Sequence, residues 1–146
     1  MPSRLAPFSL AALLTSSGVI HFVHPTTFTG LVPSWVPGTA HQVVYVSGAA
    51  ELAVAALVAN PKTRRLGGYA AAALFVAVFP GNLKMALDPD GAGSALKFFA
   101  YARLPLQIPL IWWGLRVARG AGATSENAAT PENAATPESG KPPARG

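Results

Sequence analysis

Five polar residues set among apolar neighbours carry the chemistry available to this chain: His21, Glu51, Asn82, Arg103 and Gln107. Glu51 is the only charge in the run 41–59 and stands near its middle. An acidic residue at the centre of a membrane helix costs about 2.5–3.5 kcal/mol on insertion scales. It is therefore either protonated or paired, and it turns toward protein rather than lipid. Ser47, Gly48, Val54 and Ala55 share its helix face, and small residues there let a second helix approach closely. Two roles fit Glu51: a structural buried hydrogen bond, or the handling of a ligand or proton. Arg103 is its expected partner. Counted from the same membrane face, Glu51 lies ~15 Å deep and Arg103 ~9 Å at 1.5 Å per residue, a difference that an Arg side chain spans. Gln107, one turn on, extends this polar line. The competing role for Arg103 is to snorkel to the headgroups.

His21 shares a face with Ser17 and Gly18, and His24 follows three residues later. His-x-x-His can ligate a metal, but His41 is the only other histidine and no cysteine exists, so a hydrogen-bonding core or interfacial histidine fits better than a metal or haem ligand. Asn82 and Lys84 are two residues apart, about 200° around a helix, and cannot both face one core. The expectation is Asn82 inward, satisfying carbonyls freed where Pro80-Gly81 breaks a turn, and Lys84 snorkelling outward.

The elements that must hold these residues are four apolar runs: 5–23, 41–59, 66–87 and 98–117. Runs of this length match a hydrocarbon core of about 30 Å. Glycine and proline inside them are tolerated in membrane helices when neighbours re-satisfy the backbone. Pro105 and Pro109 each remove a helix donor and should kink the last run. Arg4, Lys62, Arg64, Arg65, Arg116 and Arg119 gather on one side, against Lys97 on the other. This bias puts both termini in the cytoplasm and the polar residues in the outer half of the bilayer. Trp35, Tyr45 and Phe28 then lie near the outer interface, and Trp112 and Trp113 near the inner one. The first run is read as a spanning helix rather than a signal peptide, since no small-x-small cleavage pattern follows it.

Composition narrows the classes further. Of 146 residues, 51% are hydrophobic and 12% charged. The last 27 residues, with alanine as their only apolar type, hold five of the charges, so the remaining 119 are far poorer in charge than a soluble domain, at about a quarter. The net charge of +5 sits between apolar runs, which argues for a membrane and against nucleic acid. Zero cysteines exclude disulfides, thiolate metal sites and dithiol redox chemistry. The fold class is thus all-α: an integral membrane four-helix bundle over residues 1–119, with a cytoplasmic tail over 120–146. That tail contains a tandem six-residue repeat, 126–131 and 132–137. Having no large apolar side chain, it should be disordered.

Several stretches resemble the DoxX-like family of small membrane proteins. Gly18-Val-Ile-His21-Phe22 with Pro25 and Phe28, then Leu31-Val-Pro33 and Trp35-Val-Pro37, is similar to its first helix and loop. Ser47-Gly48 with Glu51, then Asn60-Pro61-Lys-Thr-Arg64-Arg65, is similar to its second helix and turn. Phe79-Pro80-Gly-Asn82 with Met85-Ala86, and Arg103-Leu-Pro105-Leu-Gln107, are similar to its third and fourth. The tail has no counterpart. The resemblance implies a multi-pass protein of the bacterial cytoplasmic membrane, associated in some relatives with oxidoreductases that deliver electrons to quinone. An accessory subunit fits these residues better than a self-sufficient enzyme. Its partners would be the bilayer and a membrane, periplasmic or cytoplasmic redox protein, with His21, Glu51, Asn82, Arg103 and Gln107 lining a ligand pocket. No cofactor is evident in the residues themselves, and quinone is the candidate that the resemblance supplies. Two alternatives use the same bundle: binding or transport of a lipid or small amphiphile, and a non-catalytic membrane scaffold.

Overall fold

A computed structural model describes residues 5–87 and 94–129. Five helices account for most of them: α1 (Leu5–Val23), α2 (Thr26–Thr29), α3 (Ala40–Ala59), α4 (Arg64–Leu87) and α5 (Ser94–Ala129), with no strand among the described residues. Three are long and apolar enough to cross a membrane: α1, α3 and the Arg64–Lys84 part of α4. The fourth expected span, 98–117, lies within α5, which is not one of the three. Arg103, Pro105, Gln107, Pro109 and the Trp112–Trp113 pair dilute its apolar content.

Helix ends follow local chemistry. α1 stops before His24-Pro25, because proline restricts the residue before it. α3 starts on a reciprocal cap: the Gln42 backbone N–H donates to the Thr39 hydroxyl at 3.2 Å, and the Thr39 N–H donates to the Gln42 side-chain carbonyl at 2.9 Å. Gly38, at φ +100°, makes the turn that feeds this cap, a conformation that side-chain-bearing residues rarely adopt. α3 ends at Asn60, extended at ψ 120° ahead of Pro61. There the Arg64 guanidinium donates to the carbonyls of Val58 and Ala59, both at 3.0 Å, and the Thr63 hydroxyl to that of Leu57. A residue counted in the sequence only as positive charge is thus a C-cap.

α1 packs on α3 and α4 on α5, while α3 joins the two pairs by packing on α4; α1 and α5 meet only sparsely. Both main pairs cross at glycines. A Cβ on Gly48 would lie 2.7 Å from the His21 Cβ, and one on Gly18 2.9 Å from the Gly48 carbonyl. A Cβ on Gly68 would lie 2.5 Å from the Ala118 nitrogen. The tight core lies in the half of the molecule nearest the α3–α4 turn, around Leu10, Leu14, Val58, Ala71, Phe75 and Val117. At the opposite end the segment 24–39 folds over the helix ends, with Leu31 and Leu104 both packed against Ala86.

Three local expectations change. α4 runs unbroken through Pro80 and Gly81, so no broken turn exists for Asn82 to repair. Lys84 does not snorkel: its ammonium donates to the carbonyls of Gly30 at 3.0 Å and Val32 at 2.8 Å. Those carbonyls belong to a non-helical loop and need a donor, and a lysine one turn from the end of α4 supplies it. α5 begins at Ser94 rather than 98 and runs to Ala129, ten residues into the segment expected to be disordered. Residues 120–129 contain no proline, and their alanines favour helix despite Gly120 and Gly122. The rest of the expected tail, 130–146, lies outside the described residues, as do Arg4 and most of the loop carrying Asp88 and Asp90.

Candidate functional site

The sparse meeting of α1 and α5 leaves a cavity of about 440 Å³. Its walls are mostly apolar, drawn from Leu13, Ile20, Leu74, Val78, Leu106 and Leu110, with Phe28 of α2 at one end. Ser16, Ser17, Glu51, Asn82, Arg103 and Gln107 supply its polar groups. Four of the five residues singled out from the sequence therefore meet on one cavity. The fifth, His21, lies behind Glu51 and does not line it.

Glu51 is buried, with its side chain 8% exposed. α3 delivers it where Gly18 and Gly48 bring α1 and α3 together, so Ser17 and His21 are its neighbours. Ser17 faces the carboxyl from α1. The carboxyl oxygen Oε2 is buried and has no hydrogen-bond partner. The reason lies in His21. Its Nδ1 is 3.8 Å from Oε2, too long for a hydrogen bond, and is 2.8 Å from the Ser17 carbonyl. A carbonyl only accepts, so Nδ1 carries the hydrogen, and that hydrogen is already committed. Phe28 stacks on the ring at 4.1 Å and 11° and holds it in place.

Arg103 is not the direct ion-pair partner expected for Glu51. Among the described residues the ion-pair contact of Glu51 is with His21. Arg103 is exposed at the mouth of the cavity and acts on Glu51 through Coulombic attraction; its guanidinium makes no hydrogen bond among the described residues. The reason is the sideways offset between α3 and α5, which do not pack on each other. Depth along the membrane, counted from sequence, does not report it.

Asn82 and Gln107 are buried at 7% and 4% exposure and are joined to each other. The Asn82 amide donates to Gln107 Oε1 at 3.2 Å, and Gln107 Nε2 donates to the Phe75 carbonyl. The Gln107 amide is consumed in tying α5 to α4 and shapes the wall more than it offers a free group. The groups on the wall that can meet a ligand include Glu51 Oε2, the Arg103 guanidinium and the Ser16 hydroxyl. No group of three or more metal-ligating side chains occurs among the described residues; His24 and His41 are exposed, and His41 tilts on Tyr45.

Sequence reasoning missed Ser17 and Phe28 as site residues. Ser17 was legible, since it precedes His21 by one helical turn on the face turned to Glu51. Phe28 was not, because its place depends on α2, a single turn with no run of its own. The apolar wall carries no sequence signal that separates it from core or lipid-facing residues.

The family model described as Domain of unknown function (DUF8561) matches residues 10–118. The chain belongs to that family. The DUF8561 region contains His21 and every residue of the cavity wall, and it ends before the last turns of α5. No curated protein and no solved structure matches the chain.

Proposed function

We propose that the protein is a multi-pass membrane protein, a four-helix bundle with both termini in the cytoplasm, whose cavity binds a small amphiphile from the bilayer. Quinone is the first candidate, with the protein serving as an accessory subunit of a membrane oxidoreductase. The observation that carries this reading is Glu51 Oε2, a buried carboxylate oxygen without a partner on the wall of an otherwise apolar cavity. An orphaned buried acceptor costs ~1–3 kcal/mol, and a bound head group that donates to it removes that cost. The volume falls in the ~300–1,000 Å³ range of small-molecule sites, and the open seam between α1 and α5 suits entry from the side. The resemblance to DoxX-like proteins in the stretches around His21, Glu51, Asn82 and Arg103 supports the redox setting. The DUF8561 match carries no activity of its own.

The same cavity serves a lipid-binding or transport protein equally well in its apolar part, and the α1–α5 seam favours that second reading. Purified protein in nanodiscs should bind a short-chain quinone, in its oxidised or reduced form, saturably. Filling the cavity with Val78→Trp should abolish this. Saturable binding of a lysolipid but of neither quinone form would select the lipid reading; an empty cavity with a co-purifying protein would select the scaffold. Orientation is tested by cysteines at Thr39 and Thr63. The first should label from outside intact cells and the second should not; the reverse pattern would overturn the topology.

A further inference from the structure

We infer that the cavity takes a neutral amphiphile whose head is a hydroxyl group, held between Glu51 and Arg103, in preference to a head that only accepts hydrogen bonds or carries a charge. This deepens the reading above and rests on it.

The selectivity follows from what each polar group has left to give. Glu51 Oε2 is buried and unpartnered, and His21 Nδ1, 3.8 Å away, is committed to the Ser17 carbonyl. Arg103 has donors only, and it is an exposed residue of α5 that lines the same cavity. Gln107 is spent on Asn82 and Phe75. The head group therefore meets the Glu51 carboxyl oxygen and the Arg103 guanidinium; the Ser16 hydroxyl lines the same cavity but does not bond to Oε2. A carboxylate or phosphate head satisfies Arg103 but sets its lone pairs against Glu51. An ammonium head satisfies Glu51 but faces Arg103. With Glu51 ionised, a ketone, ether or oxidised quinone accepts from Arg103 and leaves Oε2 unpartnered. A hydroxyl both donates and accepts, so this small neutral group can serve both residues at once. Applied to a quinone couple, the rule favours the reduced, hydroxyl-bearing form. The same head occurs on phenolic and on aliphatic membrane amphiphiles.

Two matched probe pairs test this on the full chain in nanodiscs: a 4-alkylphenol against its methyl ether, and a 1-alkanol against its methyl ether. Each pair keeps the apolar body and removes only the donor, and the two pairs tell an aromatic source from an aliphatic one. By titration calorimetry at least one hydroxyl probe should bind fivefold or more tighter than its ether, about the worth of one buried hydrogen bond. Glu51→Leu should collapse that ratio toward one while leaving ether binding within about twofold. Ratios below fivefold for both pairs, with the probes bound and displaced by Val78→Trp, would overturn the hydroxyl preference and leave the cavity reading standing. Binding of no probe at all would remove the cavity reading with it. The ratios are measured on the unaltered protein, so a Glu51→Leu variant that fails to fold does not rescue the inference.

Discussion

The joint between α4 and α5 makes a quantitative prediction. Asn82 and Gln107 are 25 residues apart in sequence and share one neutral hydrogen bond of 3.2 Å, with a second from Gln107 to the Phe75 carbonyl. Replacing Gln107 with leucine makes the side chain apolar at similar size and strands the Asn82 amide; Asn82→Leu strands Gln107 Oε1 in the same way. A buried donor or acceptor left unpaired costs ~1–3 kcal/mol. Membrane-protein cycles for such pairs average ~0.6 and reach ~1.7 kcal/mol, since the unfolded state in the bilayer also finds partners. Each single change should therefore cost ~1–2 kcal/mol. The double change should cost less than the sum by ~1 kcal/mol, because neither group is then stranded. Reversible unfolding in mixed micelles, followed by far-UV circular dichroism, measures all four corners of the cycle. Additivity within ~0.3–0.5 kcal/mol would refute the joint and mean that the two amides are satisfied separately.

Three further outcomes follow from single contacts. Lys84→Met removes both donors that hold the 24–39 segment at Gly30 and Val32, so hydrogen exchange in that segment should speed up while the exchange of α3 stays unchanged; Lys84→Arg should retain most of the protection. Gly48→Ala should cost ~1–3 kcal/mol by overpacking, because its Cβ would meet the His21 Cβ at 2.7 Å, whereas Gly30→Ala, with nothing within 4 Å, should stay within ~0.5 kcal/mol in the same melting assay. Arg64→Met leaves the Val58 and Ala59 carbonyls without their side-chain donor and should lower the melting temperature, which Arg64→Lys restores only in part because an ammonium lacks the two-pronged geometry.

Legibility in the sequence tracked how local the cause was. The all-helical class and the first three long helices could be read from apolar runs with at most one charge each, because length and hydropathy act within one segment and proline marks the boundaries at His24-Pro25 and Asn60-Pro61. Where the cause lay between segments, reading from sequence failed. Lys84 reads as a headgroup seeker until the loop carbonyls of Gly30 and Val32 are placed beside it. Glu51 pairs with Arg103 on depth alone, but the α1–α3 crossing at Gly18 and Gly48 brings His21 nearer. Asn82 finds a partner on α5 rather than in its own helix. That five polar residues in apolar runs belong near one another was legible, since buried polar groups seek partners. Which donors were already committed was not, because it depends on single hydrogen bonds such as that of His21 Nδ1.

The central claim is that the cavity beside Glu51 holds a small amphiphile in the membrane. Native mass spectrometry of the protein released from its own membranes in a mild detergent tests it most directly, with Val78→Trp prepared in parallel. The account predicts that the unaltered chain carries a bound small molecule, released on activation, and that Val78→Trp, folded by circular dichroism, arrives without it. An unaltered chain that arrives bare, or a Val78→Trp variant that carries the same adduct, would contradict it.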